Sequence, residues 1–178
     1  LAWACWKTYL GRAEADLCRM DAMRTLGSAL LESQRTAEAL QVHEANFTLA
    51  QRYFSHNRKF ILIVQHHIAV CLMQLGRDDE ALVLTRMIHA SFVSIFGVSN
   101  EETICAGLHV STSLIKLERW DEAKSFLRDQ LLPAAGRSLG ADHHATLCLK
   151  TNLARALATN PTGTRDDLLE AETIMQDV

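Results

Sequence analysis

Proline and glycine are scarce in this chain, with two and eight among 178 residues. Both residues punctuate turns, so their shortage excludes the many tight connections of a β sandwich or barrel. Aromatics are only 6%, again unlike strand-rich sequences. No apolar run comes near the ~20 residues that span a bilayer. The longest strongly apolar stretch is Phe60-Ile61-Leu62-Ile63-Val64. Positive charge is not in excess either: 18 Lys and Arg stand against 21 Asp and Glu, a net charge of −3. A nucleic-acid partner is therefore not expected, nor is a membrane. The five cysteines, Cys5, Cys18, Cys71, Cys105 and Cys148, are odd in number and form no CxxC pair. A disulfide framework is not expected, and a reducing, cytoplasmic setting is the simpler reading. The start, Leu1 to Trp6, has neither Met nor a basic leader, and reads as the edge of an excised segment. No GxxxxGK[ST] loop, GxSxG elbow or HExxH pair occurs. A catalyst is not expected, nor is a bound cofactor.

What is present is abundant Leu, Ala, Glu and Gln, which favour helix, in a regular repeat. Leu31–Leu40, Met73–Leu82 and Ile115–Lys124 align, with Glu-Ala pairs at Glu38-Ala39, Glu80-Ala81 and Glu122-Ala123. The period is 42 residues, kept also by Arg35, Arg77 and Arg119, and Glu170-Ala171 follows after a longer loop. Twelve residues before each Ala of the first three pairs lies a small residue: Gly27, Ala69 and Ser111. Ala154 takes that place in the fourth unit. Leu26, Ile68, Val110 and Leu153 precede these small residues, and Leu30, Leu72, Leu114 and Leu157 follow three later. Apolar positions at such spacing form one helical stripe. Two helices that cross closely need a small side chain from each at the contact, because a larger one holds the axes apart. Each unit is thus a hairpin: helix A, a short turn around Gly76-Arg77 or its equivalent, and helix B.

The joints between hairpins recur as well. Phe96-Gly97 to Thr103 matches Leu139-Gly140 to Thr146 at a step of 43. Gly97 and Gly140 read as helix terminators in the left-handed region, and Asn100 and Asp142 as caps of the next helix. The layout is a truncated unit over 1–14, full repeats over 15–56, 57–98 and 99–140, and a partial repeat over 141–178. Trp3, Trp6 and Tyr9 fall on the first, truncated helix, where they would pack against a missing upstream helix. Open array ends would make self-association through them an expectation.

This pattern resembles the tetratricopeptide repeat. The 42-residue period, with Leu139-Gly140, His143, Thr146, Asn152-Leu153-Ala154, Leu157 and Glu170-Ala171, is similar to the kinesin-light-chain type of that repeat. HEAT repeats share the period but do not require the paired small residues. The resemblance implies an all-α fold, a right-handed superhelical solenoid of helical hairpins, and a protein or peptide partner held in a groove lined by the A helices. Carried to this sequence, it implies lining by Arg24, Ser28, His67, Val70, Gln74, His109, Thr112, Lys116, Asn152 and Arg155. In such repeats an Asn at the place of Asn152 clamps peptide main chain, its amide both donating and accepting. His67 and His109 can do the same when neutral. The mixture of cations, amides and hydroxyls implies an extended and acidic peptide. The alternative is a structural or regulatory spacer that packs in cis or self-associates. His67, His109, Cys105 and Cys148 are too far apart on successive helices, ~8–10 Å between axes, for a metal centre to be expected.

Overall fold

The computed structural model describes residues 2–177, and every regular element among them is helical. In order these are α1 (Ala2–Tyr9), α2 (Leu17–Glu32), α3 (Thr36–Tyr53), α4 (Arg58–Gln74), α5 (Asp78–Phe96) and α6 (Glu101–Lys116). Then come α7 (Trp120–Ser125), a π-helical stretch (Phe126–Leu131), α8 (Leu132–Ser138), α9 (His144–Thr159) and α10 (Arg165–Gln176). Residues 1 and 178, the outer limits of the truncated and partial repeats, lie outside the described residues. The chain forms two compact units, divided inside α5 between Leu84 and Thr85.

Helical hairpins build each unit. In the first, α1 packs on α2, α2 on α3 and α3 on α4; in the second, α6 packs on α7 and α9, and α9 on α10. The small residues are where close crossing demands them: Ala39, Ala69, Ala81, Ser111 and Ala123 are wholly buried, and Ala154 and Ala171 nearly so. Leu31, Leu40, Leu72 and Met73 surround them in the first unit, and Leu127, Leu149, Leu153 and Leu157 in the second. Burying each such side chain stabilises the stack by roughly 1.5–3 kcal/mol. Gly27 meets an unusual neighbour, the imidazole of His43 on α3. A Cβ there would lie 2.4 Å from His43 Nε2.

The turns between helices A and B are alike in all three full hairpins. Gln34, Gly76 and Glu118, 42 residues apart, have φ of 60, 73 and 58°. The next residue closes the turn: Arg35 N–H donates to Leu30 O (2.9 Å), Arg77 N–H to Leu72 O (3.0 Å) and Arg119 N–H to Leu114 O (2.9 Å). These bonds satisfy carbonyls that a helix end otherwise leaves bare. Glycine suits the left-handed residue only in the middle turn; Gln34 and Glu118 adopt it at a cost. Each periodic arginine then folds onto the glutamate three residues on. Arg35 holds Glu38 (2.7 and 2.6 Å) and Arg77 holds Glu80 (2.7 Å twice), while Arg119 reaches Glu122 at 2.5 Å.

Gly97 and Gly140 terminate their helices with φ of 83 and 96°, and Asn100 caps α6, accepting from Glu102 N–H at 3.0 Å. Asp142 does not cap α9. The helix begins one residue later, and His143 is the cap, its Nδ1 accepting from Ala145 N–H at 3.2 Å. The π-helical stretch has an arithmetic cause. Sixteen residues separate Ala81 from Gly97, but seventeen separate Ala123 from Gly140. One extra residue in a helix whose two ends are fixed by packing is accommodated by one wide turn. Pro133, which has no N–H to donate, lies two residues beyond its end, in the first turn of α8.

Candidate functional site

The lining positions named from the sequence fall on α2 and α4 in the first unit. Arg24 is half-buried and its Nε donates to Asp21 at 3.4 Å. Ser28 is half-buried one turn further on, and the exposed Gln74 accepts from Thr36 Oγ1 at 3.0 Å. Val70 packs against the Leu31–Leu72 core. His67 Nδ1 lies 2.7 Å from Ile63 O, as donor in the Nδ1–H tautomer. Its ring is 4.9 Å from that of His43. Burial is the main cause that lowers the pKa of both rings, and the positive charge of Arg24 adds to it. His43 is pushed down to about 4. It is wholly buried, and neither ring nitrogen has a hydrogen-bond partner. Nothing in the sequence marks His43, which lies on helix B at a place where no other repeat has histidine.

In the second unit the positions fall on α6 and α9, which pack together. Lys116 and Arg155 are exposed, Thr112 and His109 are half-buried, and burial lowers the pKa of His109. Asn152 is only 7% exposed. Its amide nitrogen donates to Ser111 Oγ (2.9 Å) and Thr112 Oγ1 (3.0 Å) on α6. Both hydroxyls in turn donate to Leu108 O, at 2.7 and 2.9 Å. The donating half of the amide is therefore engaged by the helix pair, and its oxygen is the half that can meet a ligand. Beside it on α9 stand the exposed Thr151 and Arg155. A shallow hollow of about 460 Å³ adjoins them between α9 and α10, lined by Thr151, Arg155, Thr159 and Leu168 among others.

At the amino-terminal end, Trp3 is 58% exposed and Trp6 and Tyr9 are half-buried. Each carries a cation: Lys7 over Trp3, Arg19 over Trp6 and Arg12 over Tyr9. Cys148 Sγ lies 3.6 Å from His144 Nε2. Among the described residues no three His, Cys, Asp or Glu side chains converge as metal ligands. No described helix is long and apolar enough to cross a membrane.

Hairpin geometry, small-residue contacts and the recurring left-handed turn define the class: an all-α fold of tetratricopeptide-type repeats. The likeness to solved structures is specific. Over 99% of its length the chain is similar to a Podosopora anserina protein described as a "putative kinesin light chain" with nearly identical TPR-like repeats, at TM-score 0.77 and 16% identity, covering 81% of that chain. A single-substitution variant of that protein gives a TM-score of 0.81, again at 16% identity, over 82% of that chain. BtubC (BKLC) from P. vanneervenii is also similar, at TM-score 0.72 and 12% identity, over 99% of this chain and 81% of that one. No family model and no curated protein matches the sequence.

Proposed function

We propose that the chain is a non-catalytic interaction module whose A-helix face takes an extended, acidic peptide. The observation that carries this reading is on α9. The Asn152 amide is held by Ser111 and Thr112 with its oxygen left to accept, next to the exposed guanidinium of Arg155. A main-chain N–H offered to that oxygen and a carboxylate offered to Arg155 would fix both register and charge of the ligand. Lys116 on α6, also exposed, extends the same preference. In the first unit Arg24, Ser28, His67, Val70 and Gln74 supply the corresponding contacts, with Arg24 partly neutralised by Asp21. The fold of the similar structures, built for stacking hairpins, supports an interaction role.

A peptide array probed with the chain and with its Arg155→Glu variant tests the proposal. Acidic peptides should be retained by the parent chain and lost by the variant, with helix content unchanged. Equal retention by both, or none by either, would turn the reading to a structural spacer.

A further inference from the structure

The second unit also holds a cavity of about 360 Å³ between α5, α6, α7 and the π-helical stretch, within the size range of small-molecule sites. Val110 and Leu114 of α6, both buried, form its floor. His89 of α5 and Phe126, the first residue of the π-helical stretch, form an aromatic wall; their rings meet edge-on at 5.4 Å. Arg86 and Glu122 stand at the rim as an ion pair. His89 is half-buried, burial lowers its pKa, and its ring nitrogens make no hydrogen bond among the described residues.

Charge distinguishes this cavity from its repeat-equivalent places. In the first hairpin Arg35 and Glu38 balance one to one. In the second, Glu44 takes the position of Arg86, and its charge acts on the Arg77–Glu80 pair, leaving a carboxylate in surplus. In the third, Glu122 serves two guanidiniums, Arg86 and Arg119, leaving a cation in surplus. Position 47, equivalent to His89, is Phe. In the fourth, Arg128 and Glu170 pair one to one and Leu131 stands at the place of His89. Among the described residues, only the third groove therefore combines an imidazole with one carboxylate shared by two guanidiniums over an apolar floor; the next carboxylate, Asp129, is engaged by the lining Ser125 at 2.7 Å.

We propose that this cavity binds a small aromatic carboxylate. The ring lies on Val110 and Leu114 against Phe126, the carboxylate takes up the cation in surplus among Arg86, Arg119 and Glu122, and His89 donates the remaining hydrogen bond. The site is separate from the A-helix face and does not depend on peptide binding there.

Calorimetric titration of the chain with indole-3-acetate and phenylacetate tests it, with 2-phenylethanol as the neutral counterpart. Saturable 1:1 binding of the acids is expected, at least tenfold tighter than of the alcohol. Arg86→Gln should weaken it about tenfold, or ~1.4 kcal/mol, and His89→Phe should weaken it as well. Arg137→Gln, which removes an equal charge away from the cavity, should leave it unchanged. Circular dichroism of each variant separates lost binding from lost folding. No saturation by about 5 mM, equal binding of the alcohol, or full affinity in folded Arg86→Gln would overturn the proposal.

Discussion

The Asn152 amide nitrogen on α9 sits 2.9 Å from Ser111 Oγ on α6, so a residue suited to clamping a ligand also ties two neighbouring hairpins together. Two roles in one side chain predict a mixed phenotype. Asn152→Ala removes both donated bonds inside the protein and should lower stability by about 1–2 kcal/mol, seen in urea unfolding, as well as weakening any peptide. Arg155→Glu, exposed and outside that network, should affect binding alone. Measuring both variants for unfolding and for peptide affinity separates the structural from the recognition role.

Acid should destabilise the first unit through His43. The unfolded chain protonates this residue near 6.5 and the folded chain only at about 4. Between those values the unfolded state holds more protons, so stability is full above about 6.5 and declines as pH falls towards 4. Charging a buried ring that has no hydrogen-bond partner is the main physical cause, and the facing His67 and Arg24 add to it. The loss should reach on the order of 2–3 kcal/mol; His67, also lowered by burial, adds to it, while His89 and His109, lowered by the same cause, act likewise in the second unit. His43→Leu should flatten the dependence of melting temperature on pH; an unaltered profile would refute the assignment.

Gly27→Ala should destabilise, although alanine is the better helix former by about 1 kcal/mol. Its Cβ would fall 2.4 Å from His43 Nε2 and 2.5 Å from Cε1, and a rigid ring in a closed core cannot yield. A net loss of roughly 1–3 kcal/mol is expected. In a His43→Ala background the same change should cost much less, which a double-mutant cycle of unfolding free energies would measure.

The opposite sign is expected in the A–B turns. Gln34→Gly and Glu118→Gly place glycine where φ is 60 and 58°, relieving a left-handed side-chain clash, and each should stabilise by about 0.5–1 kcal/mol. Gly76→Ala, at φ 73°, should destabilise by a similar amount. Thermal melts of the three variants check this; a loss in Gln34→Gly and Glu118→Gly would contradict the turn geometry.

The repeat itself was written in the sequence. A spacing of 42 residues between Glu-Ala pairs, with a small residue twelve before each Ala of the first three, is a local consequence of two helices crossing closely, and so it determined hairpins, turns and buried faces. Even the joint step of 43 carried the extra residue that becomes the wide turn at Phe126–Leu131. What each polar side chain does was decided by the tertiary structure, because hydrogen bonds and charge balance depend on neighbours in other repeats. The sequence singled out Asn152 as an expected lining residue, but held no sign that Ser111 and Thr112 hold its amide nitrogen. His43 gave no periodic signal, yet packing against Gly27 encloses its ring and pushes its pKa down to about 4. Arg86 and Glu122 lie on different helices, and only folding brings them together at one cavity rim.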